Sequence, residues 1–214
     1  MKFPLITALT ALALLGTMAA NTARAEDDPK AKAEFTRKLF DGDVTKGKKS
    51  YACFVRKYDA GHLAKHPQQK VSEMKLLVTA EIDAEDERPQ HMFRMGVKFR
   101  NKPGNFDTGG SCGHSDVSEA PNGQPQLGCG VDCDGGGISV ELVANNNKSV
   151  IVRLERVALW DSSKPDDERT GMTAGADDAV FRLDRVPLDQ CKSLVTDKEE
   201  LATMFPAKVR VTRK

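Results

Sequence analysis

Three of the five cysteines and one of the four histidines fall in a glycine-rich segment, Gly109 to Gly137. The pattern Cys112-x-His114, followed by Cys129-x3-Cys133, supplies three sulfurs and one imidazole, the ligand set of a tetrahedral structural zinc site. Its spacings differ from those of the usual zinc modules, and an oxidising compartment favours disulfides among the same cysteines. We therefore favour disulfides and keep zinc as the alternative.

Five cysteines make two disulfides and leave one thiol, but sequence alone does not choose the pairing. We predict a local bridge from Cys112 to either Cys129 or Cys133. A second, long bridge is predicted from Cys53 to Cys191, tying the first strand to the last. In the chain-entropy model each bridge stabilises the fold by about 3–5 kcal/mol.

His62 and His66 form a second candidate pair. A spacing of four residues places both imidazoles on one face of a helix, a geometry that can hold a metal. Leu63 stands where the zinc-protease pattern His-Glu-x-x-His requires glutamate. Incidental, solvent-exposed histidines are the favoured interpretation. The alternative is a metal site that uses His62 and His66, with His91 or His114 as a further ligand.

Trp160 is the only tryptophan and closes an apolar stretch just before a polar one. A tryptophan in that position either plugs an end of the core or sits at a barrel rim and stacks on a ligand. We favour the plug and keep ligand contact as the alternative.

Patterns for common cofactors and reactions are missing from the sequence. Asp132 and Asp134 precede three glycines, but Gly136 and Val143 stand where an EF-hand needs calcium ligands, so a plain turn is favoured. There is no Gly-x-Ser-x-Gly elbow and no dinucleotide-binding glycine pattern. No catalytic residue and no cofactor are therefore predicted.

The N-terminus predicts export. Lys2, an apolar run over Phe3 to Ala20 and the small-x-small Ala23-Arg24-Ala25 indicate a signal peptide over residues 1–25, cleaved before Glu26. Export predicts a periplasmic or secreted protein. The remaining chain carries nearly balanced charge, which excludes general attraction to nucleic acid. No second apolar run approaches membrane length, so stable membrane insertion after cleavage is not expected.

Alternating apolar residues predict a mainly β fold. Val71 to Asp83 and His91 to Arg100 alternate cleanly and predict a hairpin, and a bulge near Glu155-Arg156 would keep both halves of a later strand facing the core. Lys208 to Arg213 predicts an edge strand. Residues 26–50 predict an extension with a short helix. Residues 51–214 predict one antiparallel domain with a Gly/Cys-rich insert at 101–137 and a polar loop at 161–178.

The sequence thus predicts a single antiparallel β-barrel or β-sandwich with short N-terminal and C-terminal helices. The leading functional hypothesis is a non-enzymatic cell-envelope protein that binds a small ligand or another envelope protein. Two alternatives are a metal-binding protein that uses His62 and His66 or the cysteine cluster, and an envelope hydrolase without a recognisable motif.

Overall fold

A computed structural model describes residues 28–115, 123–143, 147–162, 164, 170–173, 175 and 177–206. The predicted signal peptide and the predicted edge strand Lys208 to Arg213 lie outside these residues. The helices are α1 (Pro29–Phe40), α2 (Ala60–Lys65) and α3 (Lys198–Met204), with a 3₁₀ helix at Leu188–Leu194. The strands are β1 (Ser50–Lys57), β2 (Val71–Glu81), β3 (Gln90–Phe99), β4 (Phe106–His114), β5 (Gln126–Gly130), β6 (Gly136–Leu142), β7 (Ser149–Asp161), β8 (Thr170–Thr173) and β9 (Val180–Arg185).

The strands form a closed antiparallel barrel. Of the nine strands in the described ranges, eight follow one another around it in the order β1, β2, β3, β4, β5, β6, β7, β9. The ring closes because β9 pairs with β1. In this pairing Phe54 lies opposite Arg185, and Val55 lies opposite Asp184. β8 pairs only with β7, and at one end β7 also pairs with β4. The prediction of an antiparallel β-barrel or β-sandwich is confirmed, and the structure is the barrel of these two alternatives.

The barrel interior is packed with apolar side chains. Phe54, Phe93, Phe106 and Phe181 are among the largest fully buried residues. The predicted bulge in β7 is present, since Leu154 and Val157 pair with residues only two apart on β6. Both of these β7 residues are buried for that reason.

Helix α1 lies across one end of the barrel. Asp28 caps it by accepting a hydrogen bond from the Lys30 amide, and it ends at Asp41, where φ is +54°. Phe35 and Leu39 enter the main core cluster. Arg185, at the end of β9, donates to the Leu39 carbonyl at 2.8 Å. The predicted N-terminal helix is therefore part of the core packing.

The segment predicted as a Gly/Cys-rich insert forms part of the barrel wall instead. Residues 101–137 contain β4, β5 and the start of β6, and Leu127 is fully buried in the core. A Cβ on Gly110 would overlap the Gly130 carbonyl oxygen. A Cβ on Gly137 would overlap the Cys129 carbonyl oxygen. Glycine is needed here because neighbouring backbones approach closely, and the same glycines erase the alternation that predicts strands.

The segment predicted as a polar loop at 161–178 also contributes to the sheet. It contains β8, whose Met172 is buried against the core. Its last residue, Asp178, is 1% exposed and accepts hydrogen bonds from the backbone amides of Lys70 at 2.8 Å and Val71 at 3.2 Å. The end of the polar segment therefore anchors the start of β2.

The C-terminal helices cover the outer face of β1 and β2. Cys53, Val55 and Leu77 face outward there and form a second apolar cluster with Cys191 and Val195. Glu200 on α3 accepts two hydrogen bonds from the Arg94 guanidinium, at 3.1 and 2.7 Å. This pairing lowers the pKa of the Glu200 carboxyl. The C-terminal segment is thus fixed to the barrel by apolar contacts and by charge.

Two disulfides match the predicted pairing. Cys53 bonds to Cys191 across a sequence separation of 138, and Cys112 bonds to Cys129, its direct cross-strand partner on β5. Cys133 is exposed and belongs to neither bridge. The choice left open for Cys112 is therefore decided in favour of Cys129.

Thiol labelling checks this pairing directly. We expect the native protein to react with one equivalent of a maleimide, at Cys133, and the denatured but unreduced protein to react no further. Cys133→Ser should abolish labelling without reductant. Labelling of two or more sites per denatured chain would contradict the two bridges.

Candidate functional site

A groove of about 330 Å³ lies on the outer surface of the barrel wall. Its floor comes from β2, β3 and β4, one wall comes from Ser193 and Leu194 of the 3₁₀ helix, and Ser162 follows β7 on the other side. The Cys53–Cys191 bridge ties the 3₁₀ helix to β1. We call this feature the outer groove.

A row of four residues runs across the strands, and three of them line the outer groove. Lys75 on β2 pairs with Gly96 on β3, Gly96 pairs with Asp107 on β4, and Asp107 pairs with Trp160 on β7. Cross-strand partners share one face of a sheet, so these residues all point to the outside of the barrel. The row therefore places the positively charged Lys75 and the acidic Asp107 on opposite sides of Gly96.

Gly96 leaves space for the outer groove and for the helix beside it. A Cβ at this position would lie 2.7 Å from Cδ2 of Leu194, too close for an undisturbed contact. A side chain here would therefore displace the Leu194 side chain or fill the groove. The backbones at Lys75 and Asp107 are separated by two strand spacings across this gap, about 9.5 Å.

One side of the outer groove is rich in positive charge. The Glu73 carboxylate has ammonium groups of three lysines around it, Lys75 at 3.6 Å, Lys57 at 3.7 Å and Lys98 at 3.8 Å. These distances exceed those of short charge-assisted hydrogen bonds, about 2.7–2.9 Å. Lys75 also lies 3.4 Å from the Ser193 hydroxyl. Three cations around one carboxylate leave this side with a net positive charge.

The other side of the outer groove is acidic. Burial raises the pKa of the Asp107 carboxyl, a hydrogen bond with Ser162 opposes the rise, and the charge of Asp161 adds to it. Trp160, directly across from Asp107, is 37% exposed, while its neighbour Leu159 is fully buried. The prediction that Trp160 plugs the core is wrong, because strand alternation turns Leu159 inward and Trp160 outward.

A second polar cluster lies beneath α1. The Thr36 hydroxyl is 3.4 Å from Nε2 of His91 and 3.3 Å from Nε2 of His114, and the two rings meet edge to face. Burial, with the charge of His114, lowers the pKa of His91 to about 4. Burial, with the charge of Lys32, lowers the pKa of His114. Both rings are held neutral inside the barrel end, which suits packing under α1.

The other predicted pair, His62 and His66, does come together. Their rings stack with centroids 4.3 Å apart. His62 Nε2 lies 3.0 Å from the Gln69 side-chain oxygen, and His66 Nδ1 lies 3.8 Å from the Asp177 carboxylate. The described part of the chain holds no cluster of three or more His, Cys, Asp or Glu side chains arranged to bind a metal.

The alternative zinc site at Cys112, His114, Cys129 and Cys133 is contradicted by the disulfide pairing. Cys112 and Cys129 are bonded to each other, which removes two of the four ligands. Disulfide formation is what an oxidising compartment favours for two cysteines that face each other across neighbouring strands.

Sequence reasoning missed most of the outer groove. Trp160, which stands beside the groove, is the one neighbouring residue that the sequence marks as a candidate. Lys75 and Lys98 fall on the outward faces of the predicted hairpin, and Asp107 falls in the segment predicted as an insert. Their proximity depends on strand register, which alternation alone does not fix. Gly96 was the one local signal, since a glycine in the middle of a strand marks a bulge or a close approach.

Comparison of the chain with protein-family models, with curated proteins and with solved structures finds no match. Among the described residues, no helix has the length and apolar character needed to cross a membrane.

Proposed function

We propose that this protein is an exported, non-enzymatic binding protein of the cell envelope, with the outer groove as its ligand site. The observation that carries the proposal is the groove itself, in which opposite charges stand on either side of Gly96 and a disulfide-anchored helix forms one wall. Its volume is at the lower end of the range for small-molecule sites. Two disulfides are typical of proteins outside the cytosol and support export.

The packed barrel interior also favours a site on the outside. Large side chains from several strands fill the core, and α1 covers one end. A small barrel of eight strands is just wide enough for side chains to fill it. A ligand therefore meets the barrel wall, where the outer groove lies.

The hydrolase alternative has one supporting contact, between the Lys75 ammonium and the Ser193 hydroxyl at 3.4 Å. Lys75 is also ion-paired with Glu73 at 3.6 Å, in a cluster of surface lysines. Such a cluster is suited to holding a charged group, whereas a lysine that activates serine must be neutral. We therefore favour binding over catalysis.

Tryptophan fluorescence tests the proposed site, because Trp160 is the only tryptophan and stands beside it. Amino acids, short peptides, organic acids and sugars are titrated into the mature protein. We expect at least one class to change the emission in a saturable way. Ser193→Tyr, which fills the groove from its wall, should weaken binding at least tenfold.

The matched control is Thr196→Tyr, an exposed position outside the lining. It should bind like the unmodified protein. Equal binding by Ser193→Tyr and Thr196→Tyr would show that the ligand binds elsewhere, and a lack of response to every class would contradict a small-ligand site at the groove.

A further inference from the structure

We propose that the ligand of the outer groove is a short peptide with free termini, bound with its ammonium group at Asp107 and Trp160 and its carboxylate at Lys75 and Lys98. The inference rests on the proposed function, that the outer groove is a ligand site. It goes further by assigning a chemical class and a direction to the ligand.

The lysine side of the groove suits a carboxylate. Lys98 is 50% exposed, and its ammonium lies 3.8 Å from the Glu73 carboxylate. Lys75 is more buried, at 21% exposure, and points toward Ser193. A ligand carboxylate between them gains two cationic partners and a nearby hydroxyl. Glu73 offsets one of the three lysine charges and leaves a net positive charge for the ligand.

The acidic side suits an ammonium group. Asp107 is partly buried, so its negative charge is costly unless a cation pairs with it. Trp160 stands directly opposite on β7, and an indole face attracts cations. The Asp107 carboxylate and the Trp160 indole can therefore contact the same ammonium group from two directions.

The spacing of the two sides selects a short peptide. The backbones at Lys75 and Asp107 lie about 9.5 Å apart across two strand spacings. An extended chain advances about 3.3–3.6 Å per residue, so about two or three residues bridge the gap. A ligand with one charge would leave the opposite side unpaired. The glycine between the two sides leaves the backbone of the peptide room to cross.

The test uses trialanine as the probe, titrated into the full mature protein at low ionic strength by calorimetry. Two blocked forms are compared with it, N-acetyl-trialanine, which lacks the ammonium, and trialanine amide, which lacks the carboxylate. We expect each block to weaken binding at least tenfold, because each removes one charge pair.

Variants assign each end of the peptide. Asp107→Asn should bind trialanine and N-acetyl-trialanine with equal affinity. Lys98→Gln should reduce the difference in affinity between trialanine and trialanine amide. Lys49→Gln is the matched control. Lys49 contacts Glu81 at 3.7 Å, as Lys98 contacts Glu73 at 3.8 Å, but it belongs to neither the lysine cluster around Glu73 nor the lining of the groove. It should leave the affinity for trialanine unchanged within twofold.

Two failures are distinguishable. The peptide assignment would be overturned if trialanine and its blocked forms bound with equal affinity. It would also be overturned if the protein bound only another class of ligand and Ser193→Tyr abolished that binding. In both cases the groove would remain a ligand site. Binding of any class that Ser193→Tyr leaves intact would overturn the groove as the site, and the peptide assignment with it.

Discussion

Replacing Cys53 and Cys191 together with alanine is expected to lower the free energy of unfolding by about 5 kcal/mol. The bridge closes a loop with a sequence separation of 138, and the chain-entropy model gives about 5 kcal/mol for a loop of that length. Both cysteines are at most 1% exposed, so lost packing adds to the effect. Urea unfolding of the oxidised protein at neutral pH measures the change.

The second bridge serves as an internal comparison. Cys112 and Cys129 are separated by 17 residues, for which the same model gives about 3 kcal/mol. Cys133→Ser removes an exposed thiol and should change stability by less than about 0.5 kcal/mol. A larger loss from the short bridge than from the long one would contradict the loop-length argument.

Acidification is expected to destabilise the protein by up to about 3 kcal/mol through His91. The pKa of His91 falls from 6.5 to about 4 in the folded state, and each pKa unit corresponds to about 1.4 kcal/mol. The unfolded chain therefore binds the proton first. The stability contributed by neutral His91 is complete above pH 6.5 and is lost as the pH falls toward 4.

The measurement is the free energy of unfolding from pH 7.5 down to pH 4 for the unmodified protein and for His91→Gln. Subtracting the two curves removes the contribution of the carboxylates. The difference in the free energy of unfolding should fall as the pH is lowered from 6.5 toward 4, and this pH dependence is the contribution of His91. Thr36→Val keeps both histidines and removes only the hydroxyl between them, so it should retain that slope. Parallel curves for the unmodified protein and His91→Gln would refute the assignment.

The sequence predicted those parts of the fold in which side chains alternate. The β2–β3 hairpin and the β7 bulge both follow from period-two patterns. β4 and β5 were missed because glycines occupy positions where side chains would mark the two faces. Their presence in the wall depends on neighbouring backbones, which a local pattern does not report.

The candidate site was less predictable than the fold. Lys75, Asp107 and Trp160 are distant in sequence and meet only through the register of four strands. Thr36 joins His91 and His114 only because α1 lies across the barrel end. The cysteine pairing was more accessible: the long bridge from Cys53 to Cys191 was predicted outright, and the partner of Cys112 was narrowed to Cys129 or Cys133.

The closure of the barrel between β1 and β9 has a consequence for the order of folding. β1 near the start of the chain must pair with β9 near its end, and Cys53 must find Cys191, so native contacts span most of the sequence. All-β barrels with such distant pairings fold in about milliseconds to seconds. The barrel cannot close before β9 is available. During synthesis the outer groove, one wall of which follows β9 in the chain, is therefore completed after the strands of the barrel.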